Sequence, residues 1–195
     1  MRSCARCSSY WPPIDLLCER CWRDVIAHKT PRRRSFFGHS FEVFSFWDWR
    51  ADRDDVGELI KRRKSAVFDQ AHSRLAHLLL RESPELRAVR TIVFPSKNPA
   101  RRDHTASLAE GFARVLQVPA VAITVEQTDG YKMQGRARRF SRRRARGPDG
   151  LKLEAPILFV DDVYTTGATA LAVWKALGKP RAFSAAVLAY KTRYT

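Results

Sequence analysis

The chain has 195 residues, 45% of them hydrophobic and 29% charged, and its 36 Lys and Arg against 20 Asp and Glu give a formal net charge of +16. That length gives one domain of ordinary size with room for a small appendage, and the apolar content excludes a disordered chain. No apolar run is long enough to cross a bilayer and no amino-terminal stretch has a secretory apolar core, so membrane insertion is not expected and the cytoplasm is. So basic a surface favours polyanions, whether nucleic acid, nucleotides, diphosphates or an acidic partner, although a lineage that prefers arginine would look the same.

Cys4 and Cys7, then Cys18 and Cys21, form two CxxC pairs on either side of the loop 8–17, which carries Pro12 and Pro13. Thiolates at this spacing supply four soft ligands in the tetrahedral geometry zinc prefers, and a reducing compartment argues against two disulfides. The pattern reads as a structural zinc ribbon, a closed site that serves folding or interaction and not chemistry. A redox pair is the alternative, but the βαβ context of such pairs is missing. Residues 22–38, with Lys29, Arg32, Arg33 and Arg34 around Pro31, read as a solvated linker. The expected division is ribbon and basic linker over 1–38 and a main domain over 39–195.

Residues 40–49 alternate aromatic and polar side chains, which predicts a strand or hairpin with one buried face. Its aromatics could instead stack nucleobases. Residues 52–64 open with Asp52, Asp54, Asp55 and Glu58 and close with Lys61, Arg62, Arg63 and Lys64, a polarity that suits a helix dipole, with Val56, Leu59 and Ile60 facing inward. A second helix is expected over 68–80 with Leu75, Leu78 and Leu79 on its apolar side, and His72 and His77 as surface or packing residues. Residues 89–95 read as a strand, followed by Ser96, Lys97 and Asn98 and then by Arg101 and Arg102. A loop with this chemistry at the carboxyl end of a strand is well placed to hold a diphosphate; the bland alternative is an exposed lysine. Residues 105–116 carry Leu108, Phe112, Val115 and Leu116 at helical spacing, with Thr105 as the cap, and 120–125 read as an inner strand.

Between Tyr131 and Gly147 stand Lys132, Arg136, Arg138, Arg139, Arg142, Arg143, Arg144 and Arg146 and no acid. Self-repulsion should keep this segment out of the core and mobile until a polyanion neutralises it. Tracking a nucleic-acid phosphate backbone is one use for it; a merely solvated loop is another.

The most informative stretch is 157–169, ILFVDDVYTTGAT. Its unbroken apolar start predicts an inner strand of a parallel sheet, covered on both faces, and ligands of such sheets bind beyond the carboxyl ends of the strands. Asp161 and Asp162 therefore stand where a ligand would sit, and two adjacent carboxylates want hydroxyl donors or a cation. Thr165, Thr166, Gly167, Ala168 and Thr169 are small and let backbone N–H groups approach an anion at the start of a helix over 170–177. Diol acceptors followed at once by a phosphate cradle suit a 5-phosphorylated ribose. An ordinary capped strand-to-helix turn is the competing reading. A last strand is expected over 182–188.

DDVYTTGAT resembles the 5-phosphoribosyl diphosphate (PRPP) motif of type I phosphoribosyltransferases. That resemblance implies an α/β domain of about five parallel strands, with Asp161 and Asp162 on the ribose hydroxyls, Thr165 to Thr169 around the 5-phosphate, and magnesium as cofactor. It also implies that Ser96 and Lys97 take the leaving diphosphate and that the basic segment closes over it. With the cysteine pairs first and this motif last, the whole chain is similar to the ComF (GntX-like) late-competence family. What this likeness implies is DNA uptake in natural transformation, contact with single-stranded DNA through Arg136, Arg138, Arg139, Arg142, Arg143, Arg144 and Arg146, and a competence helicase as partner. The chain departs from the family where many members carry an Arg-Gly-Phe-Asn-Gln-like stretch, having Arg101, Arg102, Asp103, His104 and Thr105 instead. Catalytic turnover, a nucleotide-salvage role and a non-catalytic DNA-binding scaffold remain alternatives, and no acceptor base can be named. Tyr164 and Lys132 are the groups that could act as acid or base.

Overall fold

The computed structural model describes residues 2–3, 10–11, 18, 20, 32–36, 39–49, 69–98, 103–127, 143–148 and 153–191. At the amino end, β1 (Arg2–Ser3) and β2 (Tyr10–Trp11) pair antiparallel. There follow β3 (Arg32–Phe36), β4 (His39–Trp49), α1 (Asp69–Glu82), a 3₁₀ turn over Pro84–Ala88, β5 (Thr91–Ser96), α2 (His104–Leu116), β6 (Ala120–Gln127), β7 (Arg143–Arg146), β8 (Ile157–Tyr164), α3 (Ala168–Ala176) and β9 (Phe183–Lys191). Among the described residues these form a seven-stranded sheet in the order β3-β4-β9-β8-β5-β6-β7. The inner strands from β4 to β6 run parallel, and β3 and β7 close the two edges antiparallel.

Parallel strands buried on both faces should read as continuous apolar runs, and β8 does so: Ile157, Leu158, Phe159 and Val160 are all buried. Alternation sends Leu158 and Val160 to one core with Leu75, Leu79, Leu108 and Phe112 of α1 and α2. Ile157 and Phe159 enter the other core, with Leu171, Val173 and Trp174 of α3. The molecule is therefore a three-layer α/β structure. No helix among the described residues is long and apolar enough to cross a membrane.

Several boundaries differ from the sequence expectation. The stretch expected as solvated linker supplies β3, whose Arg32 to Phe36 pair with Val43 to His39. The β4 segment is covered on both faces and not one, with Phe41 and Val43 in one core and Phe44 in the other, because β4 lies inside the sheet between β3 and β9. The cap of α2 is Asp103 and not Thr105. Its extended backbone lets the carboxylate accept from the N–H groups of Thr105 and Ala106, both at 2.9 Å, while Thr105 is buried in the first turn. Residues 143–146, expected within a mobile segment, are strand β7, which pairs antiparallel with β6 from Gln127↔Arg143 to Thr124↔Arg146. The helix expected over 52–64 lies outside the described residues.

The two helices on one face meet closely. His72 of α1 is buried, with Nδ1 3.0 Å from the Ser107 hydroxyl of α2, whereas His77 is exposed. A Cβ on Gly111 would lie 2.7 Å from His72 Cβ and 2.9 Å from the His72 carbonyl carbon, so the crossing requires glycine. Gly111→Ala gains about 1 kcal/mol of helix propensity but pushes against backbone. We expect net destabilisation of about 1–2 kcal/mol in urea unfolding; a more stable variant would show that the helices can separate freely.

Candidate functional site

The cleft arises where the sheet divides. From β5 the chain moves outward to β6, and from β8 it moves the other way to β9, so β5 and β8 flank the point at which strand order reverses. Parallel sheets bind ligands at such a point, beyond the carboxyl ends of the strands. Pairing of β5 with β8 runs from Thr91↔Ile157 to Val93↔Phe159 and stops. Each strand continues with its other neighbour, β5 to Ser96↔Thr124 and β8 to Tyr164↔Tyr190. Pro95, which brings no N–H to a ladder, stands where pairing with Asp161 would come next. The last residues of the two strands part, and a cleft of about 890 Å³ opens between them.

One wall carries Ser96 and Lys97, and the other carries Asp161, Asp162 and the run from Thr165 to Thr169. The structure thus brings together in one cleft the diol, phosphate and diphosphate residues that the sequence suggested. Ser96 is buried at its strand end and Lys97 exposed. Strand β8 extends through both aspartates to Tyr164, and α3 starts at Ala168, two residues earlier than expected. Gly167, at φ 74°, is the residue before the helix. Only glycine takes that conformation without strain, and no side chain caps the helix. The first main-chain bond of the helix runs from the Leu171 N–H to the Gly167 carbonyl at 2.8 Å. The Ala168 N–H reaches Thr166 Oγ1 only at 3.4 Å. Ala168, Thr169 and Ala170 of the first turn line the cleft, so the positive end of the helix dipole lies beside it.

The two aspartates, adjacent in sequence, take opposite faces of β8. Asp162 continues the side of Leu158 and Val160, where its Oδ2 lies 3.0 Å from His104 Nε2 at the start of α2. Its Oδ1 accepts from the Val163 N–H at 2.7 Å. Asp161 continues the side of Ile157 and Phe159, and its Oδ1 accepts from the Asp162 N–H at 2.8 Å. Burial, and then the like charge of Asp162, hold the Asp161 carboxyl well above its ordinary value, against the opposing pull of the Asp162 N–H and the Arg143 guanidinium. Hard oxygen donors under mutual repulsion suit a divalent cation or a set of hydroxyl donors.

Lining residues that the sequence did not individually assign to this cleft include His104, Glu126 and Arg143. His104 stood out only as a departure from a family pattern. Glu126 comes from the carboxyl end of β6, and Arg143, expected as a nucleic-acid contact, pairs with Gln127 and lines the cleft. Strand pairing across a long intervening segment brings Arg143 there, which no local pattern reveals. Arg144 and Arg146 are exposed. Tyr164 is buried and stacks on Tyr190, ring centres 5.6 Å apart. Arg136, Arg138, Arg139, Arg142 and Lys132 lie outside the described residues, as do Cys4, Cys7 and Cys21. Cys18 is buried in the core beside α1 and α2. Among the described residues no cluster of His, Cys, Asp and Glu is assembled to hold a metal by itself.

No protein-family model and no curated protein sequence matches the chain. Solved structures similar in shape include an adenine phosphoribosyltransferase at 15% identity, covering 86% of this chain and 88% of that one with a TM-score of 0.44. The adenine phosphoribosyltransferase of Saccharomyces cerevisiae, complexed with an imino-altritol bisphosphate and adenine, is 14% identical over 86% of this chain and 89% of its own, with a TM-score of 0.43. A purine phosphoribosyltransferase from Pyrococcus horikoshii is 16% identical over 62% of this chain and 83% of its own, with a TM-score of 0.39. At TM-scores this low, the reading of the site rests on its strand order and cleft alone.

The raised Asp161 carboxyl has a consequence for stability. While it is protonated the ligand-free fold bears no penalty; the penalty grows as pH rises through the unfolded value of about 3.9 and is complete above the raised folded value. Asp161→Asn keeps the acceptor for the Asp162 N–H and removes the charge. It should melt higher than the natural protein at pH 7, by about 2–4 °C for each kcal/mol relieved, and the two should converge near pH 3.5. An Asn variant that melts lower at pH 7 would contradict the assignment.

Proposed function

We propose that the protein binds PRPP with magnesium in the cleft between β5 and β8 and is a phosphoribosyltransferase-like protein. The observation that supports this is the coincidence, at one parting of strands, of the Asp161–Asp162 carboxylates, the uncapped α3 N-terminus behind Gly167 and the Ser96–Lys97 loop end. A sugar with hydroxyls at one end, a phosphate at the other and a second anionic group opposite matches that order of chemistry.

In this reading Asp161 and Asp162 accept from the ribose hydroxyls, and Thr165, Thr166, Gly167, Ala168 and Thr169 surround the 5-phosphate. Ser96 and Lys97 hold the diphosphate. During transfer the bond between ribose C1 and the diphosphate oxygen breaks with its electron pair on the departing group, and a nucleophile supplies the pair for the new bond at C1. The protein's contribution is alignment and charge: carboxylates beside a ribose that turns cationic, Lys97 beside a diphosphate that turns more anionic. Asp161 and Asp162 would be the residues to hold magnesium, which would supply positive charge beside that same diphosphate.

The finer reading follows the order of motifs along the chain. Two CxxC pairs ahead of the PRPP motif, together with the net charge of +16, support a ComF-like role in DNA uptake. Zinc would be held by Cys4, Cys7, Cys18 and Cys21, and single-stranded DNA by the arginines from Arg136 to Arg146. Contacts of that kind weaken steeply with salt, whereas PRPP binding through main-chain N–H groups should change much less with ionic strength.

Calorimetric titration of PRPP with magnesium tests the proposal. The natural protein should bind saturably, and both Asp161→Asn/Asp162→Asn and Gly167→Val should weaken binding by at least about tenfold, the loss of one good polar contact. Absence of binding to the natural protein at millimolar PRPP would overturn it.

A further inference from the structure

The end of the sheet away from the cleft, where the parallel strands begin, gathers exposed cations that the cleft does not use. Arg90 stands one residue before β5, and Lys175 lies in the last turn of α3. Lys179 and Arg181 belong to the turn that carries the chain from α3 into β9, and all four residues are exposed. Main-chain bonds tie their backbones into one neighbourhood. The Arg90 N–H donates to the Pro156 carbonyl at 2.9 Å and the Ile157 N–H to the Ala182 carbonyl at 2.9 Å, so the residues ahead of β5, β8 and β9 lie side by side. Two strand spacings, about 10 Å, separate the level of Arg90 from that of Ala182. On the α3 side the turn is pinned, since the Lys179 N–H donates to the Trp174 carbonyl at 2.9 Å and Trp174 Nε1 donates to the Pro180 carbonyl at 3.0 Å.

Two observations go beyond a merely solvated face. Lys179 has φ 60°, in the left-handed region that favours glycine, so the turn presents a lysine where the backbone would sit more easily without one. Among the described residues none of the four cations is in an ion pair, whereas Arg81 faces Glu82 at 3.3 Å. The carboxyl end of a helix accounts for Lys175 but not for Arg90 or Arg181. Glu85 and Glu154 are exposed at the same end, with Arg87 to offset one of them, so an excess of positive charge remains.

The partner's chemistry follows from what accompanies these charges. Trp174 and Phe183, the aromatic residues beside them among the described residues, are buried. They offer no ring for stacking a base and no aromatic anchor for a protein interface. What remains is positive charge on a fixed backbone, which suits phosphates. Such contacts return more with a duplex, because each neutralised phosphate releases about 0.9 counterion from B-DNA against about 0.7 from a single strand. We infer that the amino end of the sheet is a binding surface for the phosphate backbone of a nucleic-acid duplex, formed by Arg90, Lys175, Lys179 and Arg181. The length of β8, roughly 25 Å, separates it from the cleft. The inference rests neither on PRPP binding nor on single-strand contact by the arginines from Arg136 to Arg146.

Lysine acetylation read by mass spectrometry locates the contact on the natural full chain. A saturating DNA duplex of mixed sequence should protect Lys175 and Lys179 severalfold and leave Lys97, exposed in the cleft, as reactive as before. Duplex affinity is then measured by fluorescence anisotropy across a salt series for the natural protein and for Arg90→Ser/Lys179→Gly/Arg181→Ser, in which glycine suits the left-handed turn. The slope of log affinity against log salt should flatten by about three, about one for each phosphate contact removed. Protection confined to other lysines, no protection at all, or an unchanged slope would overturn the inference. A single strand of equal length that protects Lys175 and Lys179 better than the duplex would overturn the choice of partner. Polyglutamate of equal charge that protects them as well as the duplex does would overturn it too, showing attraction to any polyanion.

Discussion

The ladder between β5 and β8 ends at Val93↔Phe159 while both strands run on, and the site depends on that interruption. Had pairing continued, the space before Asp161 would be filled by main chain from β5. Instead β5 stays with β6 and β8 stays with β9, each held by its own ladder, and the sheet opens like a seam at its carboxyl edge. Pro95 at the seam removes the donor that further pairing would need. The same divergence places a helix on each side of the opening, α2 leaving from the β5 side and α3 from the β8 side. The cleft therefore has a positive helix end on α3, and an aspartate-capped helix start on α2 that presents His104.

Strand alternation then gives the two neighbouring aspartates different surroundings. Asp162 faces α2 and is held on both oxygens. Asp161 faces the α3 side near Arg143, with the Asp162 N–H donating to its Oδ1, and burial beside a like charge disfavours its ionised form. A protein that only needed stability would gain from replacing it, since buried like charges are costly without compensation. Keeping a disfavoured carboxylate beside an uncapped helix end follows the common pattern in which a binding site is less stable than its scaffold.

Much of this was legible locally. The run from Ile157 to Val160 announced a doubly covered strand because burial on both faces leaves no room for polar alternation. Gly167 and the small residues around it announced close approach to an anion, while the positive φ at Gly167 is seen only in the folded chain. What sequence could not supply was anything created by pairing at a distance. Arg143 reads as one more member of a basic run until Gln127 pairs with it, and Arg32 to Arg34 read as linker until β4 turns back on them. His104 looks like a substitution at a family position, and becomes informative only when alternation on β8 directs Asp162 toward it. The cap of α2 was misplaced by two residues because Asp103 and Thr105 are both good caps, and only the extended backbone at Asp103 decides between them.

The most direct test of the account is residue-resolved NMR of the protein titrated with ribose 5-phosphate. If the cleft binds a phosphorylated ribose, the amide resonances of Gly167, Ala168, Thr169 and Ala170 should shift together with those of Asp161, Asp162 and Lys97, along one saturating curve. Shifts confined to Arg143, Arg144 and Arg146, with the α3 start unmoved, would contradict it and show a basic edge collecting phosphate without a built site.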